Sequence, residues 1–76
     1  MRYLELVKKI KDILLPTGGE YAGSEAEKIT GIASETDSAR LFMMMREEAP
    51  DDVCRRAVDI ARARSEGKPL EYITKS

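Results

Sequence analysis

The sequence predicts an all-α protein: a small four-helix bundle, mainly antiparallel, with an extended C-terminal tail. Three observations lead there. The chain has 76 residues, enough for one domain with one modest core. Glycine and proline cluster at Pro16-Thr17-Gly18-Gly19, Gly31, Ala49-Pro50 and Gly67-Lys68-Pro69 and divide the chain into four segments. Apolar residues in those segments recur at helical spacing, and no stretch shows the alternation of a strand. Short connections between them favour antiparallel neighbours.

The first helix is expected from about Arg2 to Leu15. Tyr3, Leu6, Val7, Ile10, Ile13 and Leu14 fall on one arc, with Glu5, Lys8, Lys9 and Asp12 opposite. Pro16 and the two glycines after it are expected to stop it.

The second helix carries few large side chains: Ala22, Ala26, Ile29 and Ile32. Ser24 and Glu27 have the spacing of a capping box and suggest a start at Ser24. A start one turn earlier, near Glu20, fits equally well. Such a helix depends on tertiary packing.

The third helix is expected over about Thr36 to Glu48, with Ser34 or Thr36 as its N-cap. Its buried arc should hold Ser38, Leu41, Phe42, Met45 and Ala49, with Met43 on the other side. The run Met43-Met44-Met45 could fill core space or form an adaptable binding surface.

The fourth helix spans about Asp51 to Glu66. Pro50 suits its first turn, and Asp51 and Asp52 suit its positive end. Val53, Cys54, Ala57, Val58, Ile60 and Ala61 make its apolar face, and Gly67 is a natural residue to end it. Arg64 breaks the pattern by falling inside the apolar arc. Its long stem can snorkel, or its guanidinium can hold backbone carbonyls or a carboxylate after Gly67. The expected core is Leu6, Ile10, Ile13, Leu14, Ile29, Leu41, Phe42, Met45, Val53, Ala57, Ile60 and Ala61.

Composition narrows the function classes. Formal net charge is −1, so the chain lacks the basic balance of a nucleic-acid binder. The C-terminal third is mildly basic, and residues 20–37 are acidic. There is no histidine, and Cys54 is the single cysteine. An intrachain disulfide and a His/Cys metal site are thereby excluded. No glycine-rich phosphate loop, nucleophile elbow or calcium-loop spacing occurs. The reading is of no catalytic, cofactor-binding or metal-binding residue in this chain. No apolar run is long enough for a signal core or a membrane span, and a cytoplasmic protein is expected.

The C-terminal segment carries the most specific pattern. Arg64, Gly67, Pro69, Leu70, Tyr72 and Ile73 form R-x-x-G-x-P-L-x-Y-I after a basic amphipathic helix. This resembles the end of the N-terminal domain of PrmC/HemK methyltransferases, which methylate the glutamine of the Gly-Gly-Gln motif in peptide chain release factors. Ala22, Glu27, Ile29, Thr30 and Gly31 are compatible with that family's second helix. Glu25-Ala26 stand where the family usually has two leucines, and Lys68 stands where it usually has Glu.

The resemblance implies a helical domain followed by a Rossmann-like catalytic domain that binds S-adenosylmethionine and carries an Asn-Pro-Pro-Tyr motif. This chain contains no Asn, so that motif is absent from it. Residues 1–67 are then the substrate-positioning bundle, and 68–76 begin the junction toward an absent catalytic domain. The implied cofactor belongs to that absent domain. The implied partners are a release factor, weakly held, and the catalytic domain itself. Arg55 and Arg62, which share a face, or the exposed methionines, with Met43 foremost, are candidate contact residues. Two other readings stay open. One is a self-contained helical interaction module with no enzyme behind it. The other is nucleic-acid binding through Arg55, Arg56 and Arg62, which has no recognition-helix signature to support it.

Overall fold

The structure, a computed structural model, describes residues 1–67. Pro69, Leu70, Tyr72 and Ile73, and with them the expected junction over 68–76, lie outside the described residues. The protein is all-α. Helix α1 covers Tyr3–Gly18, α2 covers Ala22–Ser34, α3 covers Ser38–Met43 and α4 covers Asp51–Ser65, with a 3-10 turn at Gly19–Tyr21.

Helix α1 buries Tyr3, Leu6, Ile10 and Leu14, one residue for each turn of the helix. The Glu5 carboxylate accepts the Arg2 N–H at 3.0 Å and so satisfies one amide at the helix start. The expected stop at Pro16 is corrected: the helix runs through it to Gly18. Pro16 lies one turn from the end and is exposed, as is Asp12, whose carbonyl loses a partner on the solvent side. Gly19 ends the helix with φ +54°, a conformation that costs glycine little.

The 3-10 turn leads directly into α2, and both Tyr21 and Ala22 already have right-handed helical dihedrals. The helix therefore starts at Ala22. Ser24 lies inside it, and the expected Ser24/Glu27 cap gives way to the earlier start. Ala22, Ala26, Ile29, Thr30, Gly31 and Ala33 are buried. The buried Thr30 hydroxyl is satisfied by donating to the Ala26 carbonyl at 2.8 Å. The helix closes on Glu35, which sits in the left-handed region with φ 57° and ψ 44°. The Thr36 N–H reaches the Gly31 carbonyl at 2.9 Å and the Glu35 N–H reaches that of Ile32 at 3.2 Å. These are the two bonds of a Schellman turn. Gly31 is required by the closeness of that turn, because a Cβ there would lie 3.0 Å from the Thr36 carbonyl oxygen.

Helix α3 differs most from expectation. It has six residues, and its N-cap is Asp37, not Ser34 or Thr36. The Asp37 carboxylate accepts the Arg40 N–H at 2.8 Å. The Ser34 hydroxyl is occupied by the Thr30 carbonyl at 2.7 Å. The helix ends early because the backbone after it is used elsewhere. The carbonyls of Met45 and Glu47 accept the N–H groups of Leu4 and Tyr3, both at 3.0 Å, and the Ala49 N–H donates to Met1 O at 2.9 Å. The first amides of α1 have no partner within their own helix, and residues 45–49 supply it. Leu41 and Ala49 are buried as expected. Phe42 was expected in the core and is instead 76% exposed, since α3 presents only Leu41 inward. Ser38, also expected inward, is exposed at the helix start, and Met45 is only half-buried.

Pro50 is the N-cap of α4, with Asp51 and Asp52 in the first turn. Val53, Ala57 and Ala61 are buried, and Ile60, Val58 and Cys54 pack half-buried beside them. Ile13 of α1 is likewise half-buried. Helix α1 packs against α2 and α4, which also pack against each other, while α3 rests chiefly on α2. The core is thus one of three helices with a short fourth attached. Each fully buried Leu or Ile in it contributes roughly 1.5–3 kcal/mol relative to exposure.

Candidate interaction site

Three surfaces hold the candidate residues. The first is the C-terminal end of α4. Arg64 Nη2 lies 2.9 Å from Glu25 Oε1 on the first turn of α2, with the two side chains 33% and 25% exposed. The guanidinium ties two helices of the bundle together. One carboxylate it meets comes from α2; the expected contacts with the segment after Gly67 fall on residues outside the described ones. Glu25 is the residue that sequence reasoning missed. The signal available was partial: Glu25 stands where the family usually has a leucine, and Arg64 falls inside an apolar arc, with opposite charge. Gly67 follows the helix with φ +95°, its N–H donating to the Arg64 carbonyl at 3.0 Å.

The second surface is the exposed face of α4. Arg55 and Arg62 lie two turns apart on it, with Asp59 between them. The third is the end of α3, where Met43 is 80% exposed next to Phe42. Among the described residues, the candidates Arg55, Arg62, Arg64 and Met43 do not form one cluster. They occupy separate faces of the bundle.

Where the first residues meet the α3–α4 connection, two groups titrate away from their ordinary values. A hydrogen bond from the Met1 ammonium to Glu48, at 3.2 Å, raises that amine above 8.0. Burial pushes the Tyr3 phenol above 10.0, and the Glu47 carboxylate adds to it.

An open depression of about 420 Å³ lies between α2 and α3, lined by Gly31, Ile32, Glu35, Thr36, Asp37 and Arg40. A nucleoside cofactor such as S-adenosylmethionine takes a glycine-rich turn between a strand and a helix. No strand occurs among the described residues, and this shallow, polar depression does not fit such a group. No group of three or more metal-ligating side chains is assembled among the described residues. No helix there is long and apolar enough to cross a membrane.

Comparison with curated proteins and with solved structures gave no match. A family model described as the PrmC N-terminal domain matches residues 5–74. That span takes in α2, α3, α4, all but the first two residues of α1, and the Arg64–Ile73 motif, and with nearly the whole chain matched, the chain belongs to the PrmC N-terminal domain family.

Proposed function

We propose that this chain is the release-factor-positioning domain of an S-adenosylmethionine-dependent protein-glutamine N5-methyltransferase, working in the cytoplasm. The match of the family over residues 5–74 carries this reading. The domain makes and breaks no bonds itself. Its contribution is proximity and orientation: a second foothold on the substrate turns a chance encounter of glutamine with the catalytic domain into a held geometry. The chain offers no histidine and no asparagine for the chemistry, and the cofactor belongs to the catalytic domain. Arg64, Gly67, Pro69, Leu70, Tyr72 and Ile73 form the junction that directs the chain from the bundle toward that domain.

A single small foothold gives micromolar or weaker affinity by itself. NMR titration of the 76-residue chain with a peptide chain release factor tests the reading. A contiguous patch of shifted resonances is expected. Scattered shifts, or none at saturating concentration, defeat it. Calorimetric titration with S-adenosylmethionine should give no heat of binding, and micromolar affinity there would mean that the chain holds a cofactor site.

A further inference from the structure

Tyr21 stands on the surface at the end of the bundle where the chain leaves α4. Its side chain is 68% exposed, while that of Tyr3 is buried. The neighbouring Ala22 takes the inward position of the turn at 0% exposure, and Tyr21 lies about 100° around the helix from it. Tyr21 and Ala22 both have right-handed helical dihedrals. The ring therefore lies one turn before Glu25 and on the same flank of α2. That flank faces α4, because the Glu25 carboxylate meets Arg64 Nη2 at 2.9 Å.

The course of the helices brings the exit from α4 to this ring. The start of α1 is bonded to residues 45–49, just before α4 begins. A tight turn leads from the end of α1 into α2. Helix α4 therefore runs parallel to α1 and antiparallel to α2. Gly67 is three residues forward from Arg64, and Tyr21 is four residues back from Glu25. Each step is about one turn, about 5 Å, and both lead toward the same end of the bundle. Gly67 then turns the chain off the helix axis with φ +95°. Leu70 is the first large apolar residue beyond it, and three residues of backbone span at most about 10 Å. The charges agree with a contact. Residues 20–27 contain Glu20, Glu25 and Glu27 and no lysine or arginine, whereas residues 68–76 carry Lys68 and Lys75 against Glu71.

We propose that the Tyr21 ring is the docking surface for the segment that follows Gly67, with Leu70 as the side chain that covers it. The apolar body of the ring is covered and its hydroxyl stays in water. Tyr21 and the Arg64–Glu25 pair then hold the exit from α4 at two points one turn apart, and together they set the direction in which the chain continues. Tyr21 thereby joins the proposed junction residues, and it does so whether or not the domain positions a release factor.

The test is solution NMR of the 76-residue chain, with denaturant melts of its variants. Nuclear Overhauser contacts are expected between the Tyr21 ring protons and the Leu70 methyl groups, together with an upfield shift of those methyls that disappears in Tyr21→Ala. Tyr21→Phe keeps the ring and should keep the shift. In the melts, Tyr21→Ala and Leu70→Ala should each raise the unfolding equilibrium constant several-fold, and the double variant should fall short of the product of the two. Leu70 methyls at unshifted positions without contacts to the ring overturn the inference, as does a double variant equal to that product. Contacts that arise between differently labelled chains and vanish on dilution overturn it as well, by assigning the ring to a second copy. Absence of release-factor binding while the Tyr21–Leu70 contact is present defeats the positioning reading alone.

Discussion

Arg64 Nη2 and Glu25 Oε1 meet at 2.9 Å, joining the last turn of α4 to the first turn of α2. They are 39 residues apart in the chain, so the bond forms only when the bundle closes. Each carries the sign that its helix end favours, Glu25 in the first turn of α2 and Arg64 in the last turn of α4. Together the two neutralise each other at the end of the bundle where the chain leaves α4. A guanidinium shared in this way also fixes the direction of the last helical turn before Gly67.

The pair is partly exposed, so its coupling should be modest. A double-mutant cycle with Arg64→Ala and Glu25→Ala should return about 0.5–1 kcal/mol of interaction, falling as salt is raised. Arg64→Ala alone should cost more, about 1–2 kcal/mol, because the stem also covers apolar surface. Denaturant melts of the four proteins measure both. Strictly additive single effects would show that the bond contributes nothing to stability.

Glu35 is a second place where the backbone asks for a different residue. Its φ of 57° places a Cβ-bearing residue in the left-handed region at the end of α2. That conformation costs an L-residue roughly 1 kcal/mol, and glycine adopts it freely. Glu35→Gly also makes the unfolded chain more flexible, which offsets part of the gain. The net expectation is stabilisation by about 0.5 kcal/mol, read as a rise in thermal midpoint of roughly 2–4 °C for a domain of this size. A lowered midpoint would mean that the Glu35 side chain contributes more than its backbone costs.

Asp37 holds the start of α3 through its 2.8 Å bond from the Arg40 N–H. Removing an N-cap of this kind costs typically about 1 kcal/mol. Asp37→Ala should lower stability by that amount, and Asp37→Asn should recover most of it. In a six-residue helix the loss should be local as well. Hydrogen exchange should speed up at Leu41 and Met44, whose N–H groups close this helix on the Asp37 and Arg40 carbonyls. Unchanged exchange there would show that Leu41 burial alone holds α3.

The sequence made the three long helices legible for a simple reason. Leu6, Ile10 and Leu14, or Val53, Ala57 and Ala61, recur at helical spacing and are buried where that spacing puts them. The end of α3 was not legible in the same way. Residues 36–48 continue a helical pattern, and nothing in their side chains says that the Met45 and Glu47 carbonyls will cap α1. That is a backbone demand from the other end of the chain, and it turned Phe42 from an expected core residue into an exposed one. The candidate site divides similarly. Arg64 was visible as a charge in an apolar arc, but the Glu25 carboxylate it pairs with on α2 lies 39 residues away in the chain and was not anticipated. The role of Asp37 was hidden for a local reason. Its competitors Ser34 and Thr36 are better placed for a longer helix, and only the Schellman turn through Glu35 moves the start forward.

The alkaline limb of stability should have two steps, each belonging to one residue at the start of α1. The Met1 amine is held above 8.0 by its bond to Glu48. The folded chain therefore keeps that proton at a pH where the unfolded chain has released it. The resulting stability is complete below pH 8 and is lost as pH rises through the folded value. Tyr3 works in the same direction for a different reason. Its phenol is pushed above 10.0 first by burial and then by Glu47, so the folded state again binds more protons than the unfolded one. That contribution begins to fall only above pH 10. Stability measured by urea titration should thus be flat with respect to these groups near pH 7, decline once the pH passes 8, and decline again beyond pH 10. Nα-acetylation removes the amine and should abolish the first decline while leaving the second. Tyr3→Phe keeps the buried ring and removes the phenol, so it should abolish the second and leave the first. A chain whose stability above pH 10 is unaffected by Tyr3→Phe would show that the phenol stays protonated or reaches water without opening the core.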